Sequence, residues 1–308
     1  MRKPPDAEPH RPGWLASRSA CALVWAAGLL LGWAAIRRGL RWALVRFFRV
    51  PHVHSGATPA AMGLEAEDVT ISGPRGNLRA WFLPAPAAGP QPVALVLHGW
   101  SGSASSILPV APPLHVAGLH VLLLDARGHG RSDSVDFSSM PGFADDVEHA
   151  IRWLRRNPRV EPERIVLVGH SVGAGACLLV AARDPGIAAV VSISSMADAA
   201  AYMGQAMRRR GVPGIAIQIV LREIERAIGV RFGEFAPIAT ISQLRMPVLL
   251  IHGAVDSVIP LADAQALRRA APPSTDLVIV PDADHGDIDR FLAVAPAVTD
   301  FLQRALHR

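Results

Sequence analysis

Short runs of aliphatic residues recur along positions 64–308, and longer stretches of mixed polarity separate most of them. The short runs suit buried strands, and the stretches between them suit helices. The predicted strands are 67–72, 78–83, 93–97, 121–124, 164–168, 188–194, 247–253 and 276–280. The predicted helices are 143–156, 171–183, 261–270 and 288–306. This alternation indicates one α/β domain at 64–308, with a mostly parallel eight-stranded sheet and helices on both faces.

The N-terminal region has a different pattern. Residues 19–36 carry no charge, and as a helix they are about 27 Å long, close to the hydrocarbon thickness of a bilayer. Arg18 precedes this stretch, Arg37 and Arg38 follow it, and four of the seven tryptophans lie within the first fifty residues. These features predict a transmembrane helix at 19–36 after an N-terminal tail at 1–18. A cleaved signal peptide is the alternative, although arginines stand where a cleavage site would need small residues.

The charge of the chain is concentrated in the same region. Residues 1–50 hold nine basic and two acidic residues, which gives +7, whereas the remainder holds twenty-two and twenty-four, which gives −2. In 37–49 arginines alternate with bulky apolar residues, which suits a helix on a phospholipid surface or the flank of a membrane helix. Together with the proline-bearing residues 51–63, this segment predicts a basic juxtamembrane stretch and linker at 37–63. The charge therefore indicates a membrane partner and disfavours nucleic acid.

A serine between two glycines follows the predicted strand 164–168, in the run Gly169-His170-Ser171-Val172-Gly173. In a strand–turn–helix setting, this pattern presents the serine hydroxyl at the start of a helix, where the amides favour developing negative charge. A serine needs a base to take its proton and an acid to orient that base. Ser171 is therefore the candidate nucleophile.

The candidate partners follow later strands. Asp256 comes after the strand 247–253, and His285 comes after the strand 276–280. Both lie at carboxyl ends of strands, where open α/β sheets bind their ligands. Asp198, after the strand 188–194, is the alternative acid. The expected oxyanion donors are the amides of Val172 and of Trp100, which lies in the loop after the strand 93–97.

Taken together, these motifs resemble the α/β-hydrolase superfamily over about residues 65–306. The resemblance is carried by His98-Gly99, the run Asp125-Ala126-Arg127-Gly128-His129-Gly130-Arg131-Ser132, the serine turn, and the aspartate and histidine that follow it. The chain is most similar to bacterial hydrolases described as serine-aminopeptidase-like or lysophospholipase-like. The resemblance implies an α/β-hydrolase fold without a metal or organic cofactor. It also implies that Asp125, Arg127 and His129 are structural.

The resemblance further implies a helical cap at about 195–246, where the strand–helix alternation is interrupted. Its residues 215–228 are more apolar than one helix face requires, so they either cover an apolar acyl pocket or pack against the sheet. Arg208-Arg209-Arg210 is either a solvated face or a contact for lipid phosphates. His52 and His54 could ligate a metal, but no third ligand stands nearby. Cys177 is interpreted as a core residue.

The sequence thus predicts a membrane-anchored serine hydrolase of a small-molecule or lipid acyl ester. Ser171, His285 and Asp256 would form the triad, and Trp100 and Val172 the oxyanion hole. An aminopeptidase-like serine peptidase, an acyltransferase and a non-catalytic membrane scaffold are the alternatives. The expected location is the bacterial inner membrane, and the count of flanking basic residues slightly favours a cytoplasmic catalytic domain.

Overall fold

The computed structural model describes residues 14–50 and 56–307. Contacts divide the chain into two compact units, Met1–Leu44 and Val45–Arg308. The first contains most of helix α1 (Trp14–Phe47), within which the stretch 19–36 lies. The second contains the sheet and is the α/β domain.

The transmembrane helix predicted at 19–36 falls within α1. Within residues 14–50 and 56–307, no helix has both the length and the apolar composition needed to cross a bilayer. The helix does not stop where the apolar stretch ends, because α1 continues through Arg37, Arg38 and Arg41. The residues 19–36 are therefore helical, as predicted, but belong to a longer helix that carries charges.

The domain is built on one eight-stranded sheet, in the order β1-β2-β4-β3-β5-β6-β7-β8. Its strands are β1 (Glu67–Gly73), β2 (Gly76–Leu83), β3 (Gln91–Leu97), β4 (His120–Asp125), β5 (Val160–His170), β6 (Ile187–Ile193), β7 (Val248–Gly253) and β8 (Thr275–Val280). Strand β2 pairs antiparallel with β1 and β4, and all other neighbours are parallel. The mostly parallel eight-stranded sheet is therefore confirmed.

The central strands could be predicted from the sequence because they are buried. Every residue of β4 and β7 is buried, and β3 is buried after its first residue. Parallel strands covered by helices on both faces are uniformly apolar. Strand β5 begins at Val160, four residues before the predicted strand. The prediction missed this first part because residues 161–164 are partly or largely exposed and three of them are charged.

The helices that follow α1 are α2 (Ala104–Ile107), α3 (Ala111–Val116), α4 (Met140–Leu154), α5 (Val172–Arg183), α6 (Ala199–Arg209), α7 (Gly214–Ile228), α8 (Phe232–Phe235), α9 (Pro237–Thr240), α10 (Leu261–Ala270), α11 (Ile288–Phe291) and α12 (Ala295–Leu306). Short 3₁₀ helices occupy Pro59–Met62, Leu108–Val110, Ile241–Gln243 and Leu292–Val294. The predicted helix 288–306 is thus divided. Pro296 has no amide hydrogen to bond the preceding turn, so α12 starts beside it.

The segment 195–246 is a helical insertion between β6 and β7, made of α6 to α9. Helix α7 buries Ile217 and Ile224 but leaves Ile215 77% exposed. Some of the apolar side chains of α7 therefore lie on the surface instead of packing in the interior. The role of this segment as a cap over a substrate stays a prediction.

The compact unit begins before the predicted domain start at 64. The carbonyl of Phe48 accepts a hydrogen bond from the amide of Ser138 at 3.1 Å, and Val50 is buried. Residues 48–50 thus pack with the domain, although the sequence predicted a basic juxtamembrane stretch up to residue 49 followed by a linker.

Candidate active site

The serine turn joins β5 to α5, and its backbone is strained. Ser171 has φ 56° and ψ −120°, a conformation that residues with a side chain rarely adopt. Its amide donates a hydrogen bond to the carbonyl of Ile193 at the end of β6, at 2.8 Å. The neighbouring strand therefore fixes the serine in this unusual geometry.

The flanking glycines are required by close backbone contacts. A Cβ at Gly169 would lie 2.5 Å from the carbonyl oxygen of Gly173, and a Cβ at Gly173 would lie 2.3 Å from that of His98. Both distances are far below van der Waals contact. The Gly-x-Ser-x-Gly pattern is therefore a packing requirement of this turn.

The structure brings the three predicted site residues together. The Ser171 hydroxyl lies 3.0 Å from Nε2 of His285, and Nδ1 of His285 lies 2.9 Å from Oδ2 of Asp256. In the tautomer that fits both contacts, Ser171 donates to Nε2 and Nδ1–H donates to Asp256. The three side chains form one hydrogen-bonded chain that ends at the serine hydroxyl.

Asp256 is held in its ionised form by its neighbours. Burial raises the pKa of this carboxyl, but hydrogen bonds from His285 and from the amides of Ile259 and Val258 outweigh burial, so its pKa lies below the usual range. The amide bonds measure 2.7 Å from Ile259 and 3.0 Å from Val258. Asp256 is thus suited to orient an imidazole and to stabilise its protonated form.

Asp198, the alternative acid, has another partner set. It is the N-cap residue of α6, and its Oδ1 accepts hydrogen bonds from the amides of Ala200 at 2.7 Å and Ala201 at 3.0 Å. These bonds satisfy the amides at the start of a helix. Among the two candidate acids, Asp256 is therefore the one that contacts His285.

The loop between β3 and α2 lies against the serine. A Cβ at Gly99 would come within 3.1 Å of the Cβ of Ser171, so this loop and the serine turn are in direct contact. The loop turns sharply, because the amide of Gly102 bonds the carbonyl of Gly99 at 3.1 Å and Ser101 adopts φ 59°. Trp100 lies in this turn.

Val172 is the first residue of α5, so its amide has no carbonyl partner within the helix. Both predicted oxyanion donors therefore belong to elements that flank Ser171.

Two buried groups hold this loop in place. His98 donates from Nδ1 to the carbonyl of Gly99 at 2.7 Å and accepts at Nε2 from the amide of Ala126 at 3.1 Å. Burial lowers its pKa to about 4, so it is neutral near pH 7. The carboxylate of Asp125 accepts a hydrogen bond from the amide of Ala104 at 2.6 Å. His98 and Asp125 thus organise backbone, in agreement with the structural role that the resemblance implied for Asp125.

Two further contacts to the loops of the candidate site were not predicted from the sequence. His170 donates from Nε2 to the carbonyl of His285 at 2.9 Å, and the two rings lie 4.9 Å apart. Asp284 accepts hydrogen bonds from the amides of Ser257 and His285, both at 2.7 Å. These bonds tie the His285 loop to the serine turn on one side and to the Asp256 loop on the other. The only signal in the sequence was that His170 and Asp284 adjoin site residues.

Within the described residues, no group of three His, Cys, Asp or Glu side chains is arranged to hold a metal ion. His52 and His54 lie outside the described residues. Cys177 is buried in α5, and burial raises the pKa of its thiol above the usual range. Cys177 therefore packs in the core, as expected, and is not a nucleophile.

A serine on the strand–helix turn of an open, mostly parallel sheet defines the class of α/β proteins that carry a nucleophile elbow. Comparison with known proteins agrees. The family model described as serine aminopeptidase S33 matches residues 88–226. YfhR of Salmonella typhi, an uncharacterized protein, is 30% identical over 286 residues, which cover 86% of this chain and 90% of YfhR. The chain therefore belongs to the α/β-hydrolase superfamily.

Two further similarities are informative. The Pyrococcus furiosus esterase Pf2001 shares the fold, with a TM-score of 0.68 at 22% identity over 84% of this chain and 97% of the esterase. The polyketide transferase GrgF of Penicillium sp. is 30% identical over 145 residues, covering 46% of this chain and 47% of GrgF. Its solved structure, titled as an α/β hydrolase, has a TM-score of 0.62. The superfamily thus includes both esterase and transferase relatives of this fold.

Proposed function

We propose that this protein is a serine hydrolase that cleaves carboxylic esters or related acyl compounds through an acyl-enzyme. The observation that carries the proposal is the continuous hydrogen-bonded chain from Asp256 through His285 to the hydroxyl of Ser171. A serine hydroxyl bonded to an oriented imidazole can be deprotonated as it attacks a carbonyl. The fold similarity to an esterase supports the same reaction class.

In the proposed reaction, Ser171 attacks the acyl carbon while His285 takes the hydroxyl proton. The protonated imidazole is stabilised by Asp256, and it then protonates the leaving alcohol. The amides of Trp100 and Val172 donate to the oxyanion that forms on the carbonyl oxygen. Water, deprotonated by the same imidazole, hydrolyses the ester formed with Ser171 and returns the enzyme to its starting state.

The test combines a mechanism-based probe with an ester series. Wild-type full-length protein should label with a fluorophosphonate and hydrolyse p-nitrophenyl esters from acetate to palmitate with a measurable chain-length preference. Ser171→Ala should lose both activities, whereas Ser242→Ala, at an exposed serine in the cap segment, should keep them. Labelling that persists in Ser171→Ala, or absence of labelling in the wild type, would refute the assignment.

Acyl transfer is the second candidate, because one relative is named a polyketide transferase. The same triad would serve, with an alcohol or amine acceptor replacing water in the second step. Adding small alcohols to the ester assay distinguishes the two, since a transferase forms the new ester in preference to the free acid. Hydrolysis that is unchanged by acceptors supports the first candidate.

An aminopeptidase activity has less support from the cap segment. Such an enzyme needs an acidic group that is free to bind the substrate's α-amine. Glu223 pairs with Arg226, Glu225 accepts the amide of Phe232, and Glu234 accepts that of Arg231. All three acids therefore have partners within the segment. Aminoacyl-p-nitroanilides assayed beside the esters test this alternative.

We further propose that the protein associates with an anionic membrane surface through α1. The side chains of Trp25, Leu29 and Leu31 are more than 70% exposed, and such apolar patches mark interaction sites. Arginines in the same helix would attract anionic lipid. Full-length protein should sediment with phosphatidylglycerol vesicles and less with phosphatidylcholine vesicles, and Arg37→Gln with Arg38→Gln should weaken the difference. Equal sedimentation with both would contradict the proposal. Protease protection in cells tests the prediction that the α/β domain lies on the cytoplasmic side of the membrane.

A further inference from the structure

The chain enters the catalytic unit through a short segment, Val45–Val50, that precedes the first strand. Within it, the carbonyl of Phe48 accepts the amide of Ser138 at 3.1 Å. Ser138 is itself buried, and Val50 is only 7% exposed. Residues 48–50 are thus fixed on the domain by both a backbone hydrogen bond and apolar burial.

The ring of Phe48 contacts the loop that carries the proposed oxyanion donor. It meets the indole of Trp100 edge to face, with ring centroids 5.9 Å apart and planes at 84°. The same indole meets His129 at 6.0 Å and 78°, and His129 packs on Phe143 at 5.0 Å. The Trp100 side chain therefore contacts a buried aromatic cluster and also the N-terminal segment.

The backbone beside this indole is strained. Ser101 lies in the left-handed region at φ 59°, which is unfavourable for a residue other than glycine. Such a turn persists only where its surroundings hold it. On the other side of Trp100, Gly99 is packed against Ser171. A shift of the indole would consequently move the Gly99–Trp100 peptide relative to the serine.

From these contacts we infer that Phe48 is a positioning residue for the oxyanion hole, acting through the side chain of Trp100. The inference rests on the proposed function, because it gives the Trp100 amide a role in the reaction. It also makes the segment before the first strand part of the active-site framework. Residues 48–50 would then belong to the active-site framework as well as to the connection that precedes it.

Full-length Phe48→Ala tests this inference. Misplacement of one oxyanion donor weakens transition-state binding more than substrate binding, so kcat should fall and KM should stay nearly constant. The energy of an aromatic pair corresponds to a decrease of about 3- to 10-fold in kcat. The rate of fluorophosphonate labelling should fall by the same factor, since phosphonylation uses the same oxyanion site. Phe48→Tyr keeps the ring and should retain wild-type kcat.

Val116→Ala is the control, because Val116 is also apolar, lies outside α1 and the candidate site, and is 84% exposed. It should leave kcat and the labelling rate unchanged. All rates are measured well below the thermal transition of each variant, so that loss of folded protein does not contribute. Wild-type kcat in Phe48→Ala, a loss confined to KM, or an equal loss in Phe48→Tyr would overturn the inference. Failure of the proposed function would be recognised separately, by ester hydrolysis that survives Ser171→Ala.

Discussion

Acid should destabilise the α/β domain because two histidines beside the candidate site, His98 and His170, are neutral in the folded protein. Burial lowers the pKa of His98 and of His170 to about 4, whereas a histidine in an unfolded chain titrates near pH 6.5. Below that pH the unfolded chain binds protons that the folded protein does not, so the free energy of unfolding decreases as the pH decreases. The loss begins near pH 6.5 and is complete below about pH 4.

The size of the effect follows from these values. Between pH 7 and pH 5 each histidine removes about 2 kcal/mol, or about 4 kcal/mol for the pair. Asp146 acts in the opposite direction: burial raises its pKa to about 6, although Arg127 lowers it. The folded protein therefore takes up this proton before the unfolded chain does, which restores about 1 kcal/mol over the same range. Burial also lowers the pKa of His120, which adds to the loss, so the net loss should be at least about 2 kcal/mol.

Urea denaturation at pH 7, 6 and 5, at constant ionic strength, measures this loss directly. His170→Gln keeps an N–H donor but cannot be protonated, so its loss between pH 7 and pH 5 should be smaller than the wild-type loss by about 2 kcal/mol. Only the pH dependence is compared, because the substitution also changes the absolute stability. Wild-type stability that stays constant or rises toward pH 5 would refute the reasoning. So would a variant with the full wild-type pH dependence.

Three further substitutions test the site. Asp256→Asn should lower kcat/KM for esters by about 10³- to 10⁴-fold, because the imidazole of His285 loses its orienting carboxylate; an ester assay with a melting curve as folding control measures this, and near-wild-type activity would exclude the residue as the acid. Gly173→Ala would bring its Cβ to 2.3 Å from a backbone oxygen, so the variant should lose at least about 3 kcal/mol of unfolding free energy; unchanged urea stability would contradict this contact. Asp284→Ala removes the carboxylate that accepts hydrogen bonds from the amides of Ser257 and His285, so kcat should fall about tenfold. Asp284→Glu should recover part of this loss. Equal kcat values in the wild type and both variants would show that these bonds do not position the base.

The proximity of Ser171, Asp256 and His285 could be predicted from the sequence for a physical reason. Each residue follows an apolar run that forms a parallel strand, and parallel strands have their carboxyl ends at one edge of the sheet. The elbow itself was readable because its glycines are required by backbone contacts. In such cases the local pattern determines the geometry.

The contacts that hold these residues in register could not be predicted in the same way. The bond from His170 to the carbonyl of His285 joins positions 115 residues apart, and the packing of Phe48 on Trp100 joins two loops. Neither contact produces a periodic pattern, since each depends on loop conformation. The division of the helix 288–306 was detectable in principle from Pro296, but the amphipathic pattern continues across it.

The strand ends also explain how the strained backbone of Ser171 is maintained. Backbone hydrogen bonds continue across the sheet beyond the regular strands, each from the residue after one strand to a carbonyl near the end of the next. They join Ser171 to Ile193 at 2.8 Å and Ala254 to Val280 at 2.9 Å, at the last carbonyl of the next strand in both cases, and Ser194 to Ile251 at 2.8 Å, two residues before the end of β7. Two of the three donors, Ser171 and Ser194, have positive φ values. The strain is therefore shared along the edge that connects the serine turn with the loops of the acid and the base. Since a strained conformation persists only where its surroundings determine it, substitutions that loosen the ends of β6 or β7 should lower activity before they unfold the domain.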